Sequence, residues 1–166
     1  CTHINVCGRY AMPGRNECIL HLRSRFKPSF HLALLVHLLR TSNCEYIVFP
    51  TDVHFNGMQF GDPVRFAFSE FLGAADFRKV RFGDKAVFSD VRFHGQADFS
   101  GAAFSGEADF FDADFRDGCS FDDSEFIGPA SFHAANYAEA ASFSGAQFRR
   151  DANFEFARFD AGHNLE

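Results

Sequence analysis

Hydrophobic positions along this chain keep a period that belongs neither to a helix nor to a long strand. From position 49 onward a large aromatic residue recurs at steps that alternate between six and five. The run is Phe49, Phe55, Phe60, Phe66, Phe71, Phe77, and so on without a break to Phe148, Phe154 and Phe159, with Tyr137 the one rung that is not Phe. Two positions before each rung stands a small or aliphatic residue in most units, as in Val53, Val64, Ala75, Ala86, Ala97, Ala108 and Ala130. A spacing of two puts both members of a pair on one side of an extended segment, so the residue between them, such as Asp98, Asp109 or Asn153, points outward. Steps of five and six cannot hold one face of a helix, which needs three and four. The pattern predicts very short strands joined by corners, in a chain that winds on itself as a solenoid. Glycine two positions after many rungs (Gly57, Gly73, Gly95, Gly101, Gly106, Gly128, Gly145) predicts corners at positive φ.

The alternation also chooses the size of the coil. Stacked parallel strands need the same register in every layer. With three units per coil the extra residue would move between faces in successive layers; with four it always stacks on itself. The expectation is about 22 residues per coil, about five coils, and a column about 24 Å tall at ordinary strand spacing. The extra residues widen two opposite corners. Residues one coil apart then stand above one another, so Glu70, Arg92 and Asp114 form a file of alternating charge, while Asp76 falls over Asp98. The chain divides into a Cys/His module at 1–26, a capping helix and linker at 27–45, and the β-helix at 46–166.

Units such as Ala97-Asp98-Phe99-Ser100-Gly101 and Ala141-Ser142-Phe143-Ser144-Gly145 resemble the pentapeptide-repeat family, whose unit is a small residue, a variable one, a central Leu or Phe, and two polar or Gly residues. The resemblance implies an all-β solenoid, a right-handed quadrilateral parallel β-helix with four units per coil, in a cytoplasmic setting. The departure from the family pattern is the extra residue in every second unit, which makes an eleven-residue double unit.

Charge is distributed unevenly over a chain of net charge −6. Residues 95–148 hold Asp98, Glu107, Asp109, Asp112, Asp114, Asp117, Asp122, Asp123, Glu125 and Glu139 against a single basic residue, Arg116. Residues 78–92 carry Arg78, Lys79, Arg81, Lys85 and Arg92. A solvated surface accounts for such a pattern. The family supplies a second account, since some of its members mimic duplex DNA with an acidic column and act on type II topoisomerases. The basic band at 78–92 interrupts that mimicry.

The first fifty residues are net positive and hold four of the five cysteines. Cys1, Cys7, Cys18 and His21 form C-x5-C-x10-C-x2-H. Three soft thiolates and an imidazole suit a closed tetrahedral structural zinc site. Gly8 and Pro13-Gly14 supply turns between the ligands. The run from Cys7 to Gly14, followed by Cys18-Ile19-Leu20-His21, resembles the small zinc knuckles found ahead of eleven-residue solenoids, which implies a bound Zn2+. Two other readings stay open. One is disulfides in an exported protein, against which the odd cysteine total counts; the other is Cys1 as a lipidated terminus. His3 reads as a surface residue rather than a ligand, and Cys44 and Cys119 as compact hydrophobes.

Segment 28–43 opens with Pro28 near a helix start and continues with an apolar run too short to cross a membrane. It reads as a helix lying over the open end of the first coil. His31 and His37, six apart, do not have the spacing of metal ligands on one helix. At the far end Leu165 falls where the next rung is due, six after Phe159. The expectation is a fold that continues in a longer protein, or a last coil that pairs with a second copy as a homodimer, because an uncovered coil end exposes strand edges.

Catalytic constellations are missing from the pattern. No Gly-rich phosphate loop follows a strand, His94, His133 and His163 are scattered, and the Asp residues sit at outward repeat positions. A column filled with Phe leaves no pocket to desolvate a substrate. The reading is a non-catalytic scaffold, not an enzyme, that presents its faces to a protein partner. The alternatives are the acidic DNA mimic and a nucleic-acid contact through Arg9, Arg15, Arg23, Arg25 and Lys27, which would require steep salt dependence and has little aromatic interleaving to support it.

Overall fold

The structure, a computed structural model, describes residues 42–160. Within them the backbone forms 21 strands, from β1 (Val48–Phe49) to β21 (Arg158–Phe159), each two residues long. The strands stack into four parallel sheets, one of six strands and three of five, so the chain makes five coils and begins a sixth. The first face contains β1, β5 (Glu70–Phe71), β9 (Arg92–Phe93), β13 (Asp114–Phe115), β17 (Asn136–Tyr137) and β21. The second runs from β2 (Val53–His54) to β18 (Ala141–Ser142), the third from β3 (Gln59–Phe60) to β19 (Gln147–Phe148), and the fourth from β4 (Val64–Arg65) to β20 (Ala152–Asn153).

Each residue pairs with the one 22 positions on, as Glu70 does with Arg92. Ala97 likewise faces Cys119, Phe104 faces Phe126, and Ala108 faces Ala130. This is the quadrilateral β-helix that the alternating steps require. Pairing is already under way at Asn43, which bridges Arg65. Cys44 occupies the ring position one coil below Phe66 and is fully buried. Ser69, a buried hydroxyl at a small inward position, accepts the Ile47 N–H at 2.9 Å and donates to the Cys44 carbonyl at 2.5 Å, so the first coil is tied to the second.

The rings form four stacked files inside the column. Phe77 and Phe99 lie parallel with centroids 4.7 Å apart, as do Phe104 and Phe126. Files of the second and fourth faces interlock edge to face: Phe99 meets Phe88 and Phe110 at 5.4 Å and 88°. Both arrangements are favoured by the ring quadrupole, and the half-coil stagger between the two faces produces them together.

The two step lengths make two kinds of corner. Where a ring opens a five-residue step its carbonyl accepts the N–H three positions on, as Phe55 does from Met58 at 2.9 Å, and the residue two past the ring has positive φ. Gly57, Gly101 and Gly145 fill that position at φ 70°, 67° and 71°. Gly73, Gly95, Gly106 and Gly128 do not; the expectation of positive φ fails for them, because they lie at the six-residue corners. There the corner backbones of successive coils touch. A Cβ on Gly128 would stand 2.2 Å from the Gly106 carbonyl oxygen. The module at 1–26, nearly all of the 27–45 segment with its expected helix, and Leu165 lie outside the described residues.

Candidate interaction surface

Twenty of the 25 phenylalanines keep the rung register; Phe26, Phe30, Phe68, Phe111 and Phe156 break it. The three of these that are described share one corner, the five-residue corner between the fourth and first faces. All are exposed, Phe68 by 47%, Phe111 by 44% and Phe156 by 71%. Phe68 stacks on Tyr46 at 4.9 Å. Phe111 stacks on His133 at 5.5 Å, and Phe156 meets the same imidazole edge-on at 5.3 Å. Sequence reasoning passed over these residues. Their signal was available, as rings outside a register that every other described Phe obeys.

Beside this corner runs a groove of about 590 Å³ along the first face. Phe68, Asp90, Asp112 and Phe156 belong to its corner wall, and Glu70, Arg92 and Asp114 to its floor. The file of alternating charge expected from the coil length is present. Arg92 Nη1 lies 3.4 Å from Glu70 Oε1, and Asp114 pairs with Arg92 in the ladder. Asp114 also accepts from Arg116 Nε at 2.7 Å and Asn136 Nδ2 at 3.0 Å. Burial pushes the Asp114 carboxyl up, but the Asn136 and Arg116 hydrogen bonds and the charges of Arg116 and Arg92 outweigh it and leave the group below its ordinary value. Asp90 moves the other way. Burial raises it, the carboxylates of Asp112 and Asp109 raise it further, and Arg92 opposes them.

Elsewhere on the column several acidic side chains have structural partners. Asp98 Oδ1 accepts the Ser100 N–H at 2.9 Å, and Asp109 Oδ1 accepts the Phe111 N–H at 3.1 Å. Such short-range bonds from Asp to a backbone N–H two residues on fix turns. Asp122 accepts from the Ser142 hydroxyl and from the Ser144 N–H one coil above. Glu107 pairs with Lys85 at 2.9 Å and Glu125 with Arg149 at 3.0 Å. The stacked Asp76 and Asp98 share Arg78, at 2.8 Å and 3.7 Å. The basic band at 78–92 is thus largely engaged by carboxylates one coil away or on the same coil.

The zinc set Cys1, Cys7, Cys18 and His21, with His3, lies outside the described residues. Among the described residues no group of three or more His, Cys, Asp or Glu side chains is placed to hold a metal ion. Cys44 and Cys119 are buried free thiols, and burial alone pushes Cys119 up to about 12. His94 lies 3.7 Å from Glu70, and His133 is held in the aromatic corner. No helix among the described residues is long and apolar enough to cross a membrane.

A search of curated proteins found no match. A family model described as pentapeptide repeats (9 copies) matches residues 55–103 and, overlapping, 88–136. The matched stretch lies wholly within the four-sided ladder and includes both kinds of corner. Through residues 55–136 the chain belongs to the pentapeptide-repeat family.

Proposed function

We propose that this solenoid is a non-catalytic scaffold that holds a protein partner along the corner between its fourth and first faces. The observation that supports the reading is the gathering of Phe68, Phe111 and Phe156 on that corner, exposed, when their burial elsewhere would have added to the core. Large apolar side chains clustered at a surface and rimmed by polar groups mark interaction sites. The ladder beneath holds them rigidly, so little order has to be gained on binding. Affinity capture with the full chain, compared with Phe111→Ser, tests the reading. A partner retained by the wild type and lost with the variant supports it; equal retention, or no partner at all, overturns it.

Acidic mimicry of a nucleic acid is the weaker reading. Half of the ten acidic residues of the 95–148 stretch cap turns (Asp98, Asp109) or pair with basic side chains (Glu107, Asp114, Glu125), which interrupts a free file of charge. Unchanged supercoiling by a type II topoisomerase at micromolar protein would remove it. For the N-terminal set Cys1, Cys7, Cys18 and His21 the proposal is one structural zinc ion. Metal analysis of the purified chain should find one equivalent, lost in Cys18→Ser.

A further inference from the structure

The residue two past the ring at the aromatic corner is, in successive coils, Tyr46, Phe68, Asp90, Asp112, Ala134 and Phe156, all at φ between 51° and 59°. At the diagonally opposite corner the same turn position holds Gly57, Lys79, Gly101, Asp123 and Gly145. A bulky side chain with φ near +60° is disfavoured, and glycine fits there freely. Phe68 and Phe156 occupy that conformation while about half or more of each side chain stays in water, so burial gives little in return. Uncompensated strain of this kind points from geometry to use.

These positions form one file. Each N–H donates to a carbonyl of the next coil: Phe68 to Ser89 at 3.1 Å, Asp90 to Phe111 at 2.8 Å, and Asp112 to His133 at 3.0 Å. From Phe68 to Phe156 is four coils, about 19 Å at the usual strand spacing, which an extended segment of about six residues spans. Between the two rings stand Asp90 and Asp112, and neither makes an ion pair within 4.0 Å among the described residues, in contrast to Glu70 on the floor below. Of the three arginines that line the groove, Arg92 is paired with Glu70 and Arg116 with Asp114, while Arg158 brings positive charge beside Phe156.

We infer that the groove between this corner and the first face binds a short cationic segment of a partner protein, with apolar side chains against Phe68 and Phe156 and its Lys or Arg residues against Asp90 and Asp112. The segment runs along the column, and its cations lie toward the Phe68 end, since Arg158 repels them at the other. The inference rests on the scaffold reading and specifies its partner.

The probe is a random dodecapeptide library displayed on phage, selected against the full chain. Enriched sequences should carry Lys or Arg next to apolar residues, and their binding should weaken as salt is raised. Binding of the synthesised peptides should fall at least tenfold in Asp90→Asn/Asp112→Asn, and likewise in Phe68→Gly/Phe156→Gly. Glycine suits the turn at both positions, so these variants keep the fold, and unfolding midpoints close to the wild type will show it. Lys79→Gly at the opposite corner should change nothing. Enrichment of acidic or uncharged peptides overturns the inference. So does binding that ignores the corner substitutions; if those peptides compete at another face, the scaffold reading survives. Failure to select any peptide, together with no partner in affinity capture, overturns both.

Discussion

The ring of Phe110 lies flat against that of Phe88, with centroids 4.9 Å apart and planes 4° apart. Phe132 repeats the contact on its other side at 5.0 Å, while Phe99 and Phe121 press their edges toward it. Phe110 is fully buried, and no neighbour in the file can move into its place without leaving its own stack. Phe110→Ala should therefore cost about 3–5 kcal/mol, the range for a buried ring removed from a core that relaxes poorly. Asp109→Ala, one residue away, loses the bond that caps the Phe111 N–H and should cost about 1 kcal/mol. Urea unfolding of the two variants measures the contrast.

The two glycine types separate in the same assay. Gly57→Ala meets no atom within 4 Å and pays only for its φ of 70°, about 1 kcal/mol. Gly128→Ala places a methyl 2.2 Å from the Gly106 oxygen and 2.4 Å from its carbonyl carbon, both backbone atoms held in the next coil. It should cost more than Gly57→Ala, about 2–3 kcal/mol by the scale of overpacking. Thermal unfolding that ranks them in the opposite order would contradict the account of the six-residue corner.

How much of this was legible in the sequence differs from residue to residue, for physical reasons. The coil length was, because one extra residue per eleven can stay in register only on a square, and Glu70 accordingly stands beside Arg92. The two jobs of glycine were not separated, since Gly57 and Gly73 both sit two past a ring; only the length of the step that follows tells them apart. The turn-capping role of Asp98 and Asp109 was also hidden, although both precede rings that open five-residue steps. At the aromatic corner, Phe68 lies outside the rung register and was passed over. A period reports what faces inward, and says nothing of side chains on a corner, where exposure follows from the turn.

Acid should expose one ion pair by its sign. The hydrogen bonds and charge of Arg78 hold the Asp76 carboxyl at about 2, against the resistance of burial and below its ordinary 3.8. A folded-state value below the unfolded one means the contribution is whole above about pH 4 and disappears as pH falls through about 2. Arg78 is half exposed, so the amount is at most about 1 kcal/mol. Below about pH 5 the stability difference between wild type and Asp76→Asn should shrink as pH falls past about 4 and vanish near about 2. A difference that grows over that acid range would show that the pair does not act in this way.

Tyr137 is the one rung that carries a hydroxyl. Its ring stacks between Phe115 at 5.1 Å and Phe159 at 4.5 Å, as any rung does. Its oxygen, however, is buried with no hydrogen-bond partner, and the phenol is raised far above its ordinary value, first by burial and then by the neighbouring Cys119. A buried hydroxyl that makes no bond carries a desolvation cost of about 1–3 kcal/mol. Tyr137→Phe keeps the ring and removes that cost, so it should raise stability by about 1 kcal/mol or more, unlike most core substitutions. The measurement is the urea midpoint at unchanged slope. A lowered midpoint would mean that the hydroxyl is satisfied in solution and that the departure from Phe at this rung is itself stabilising.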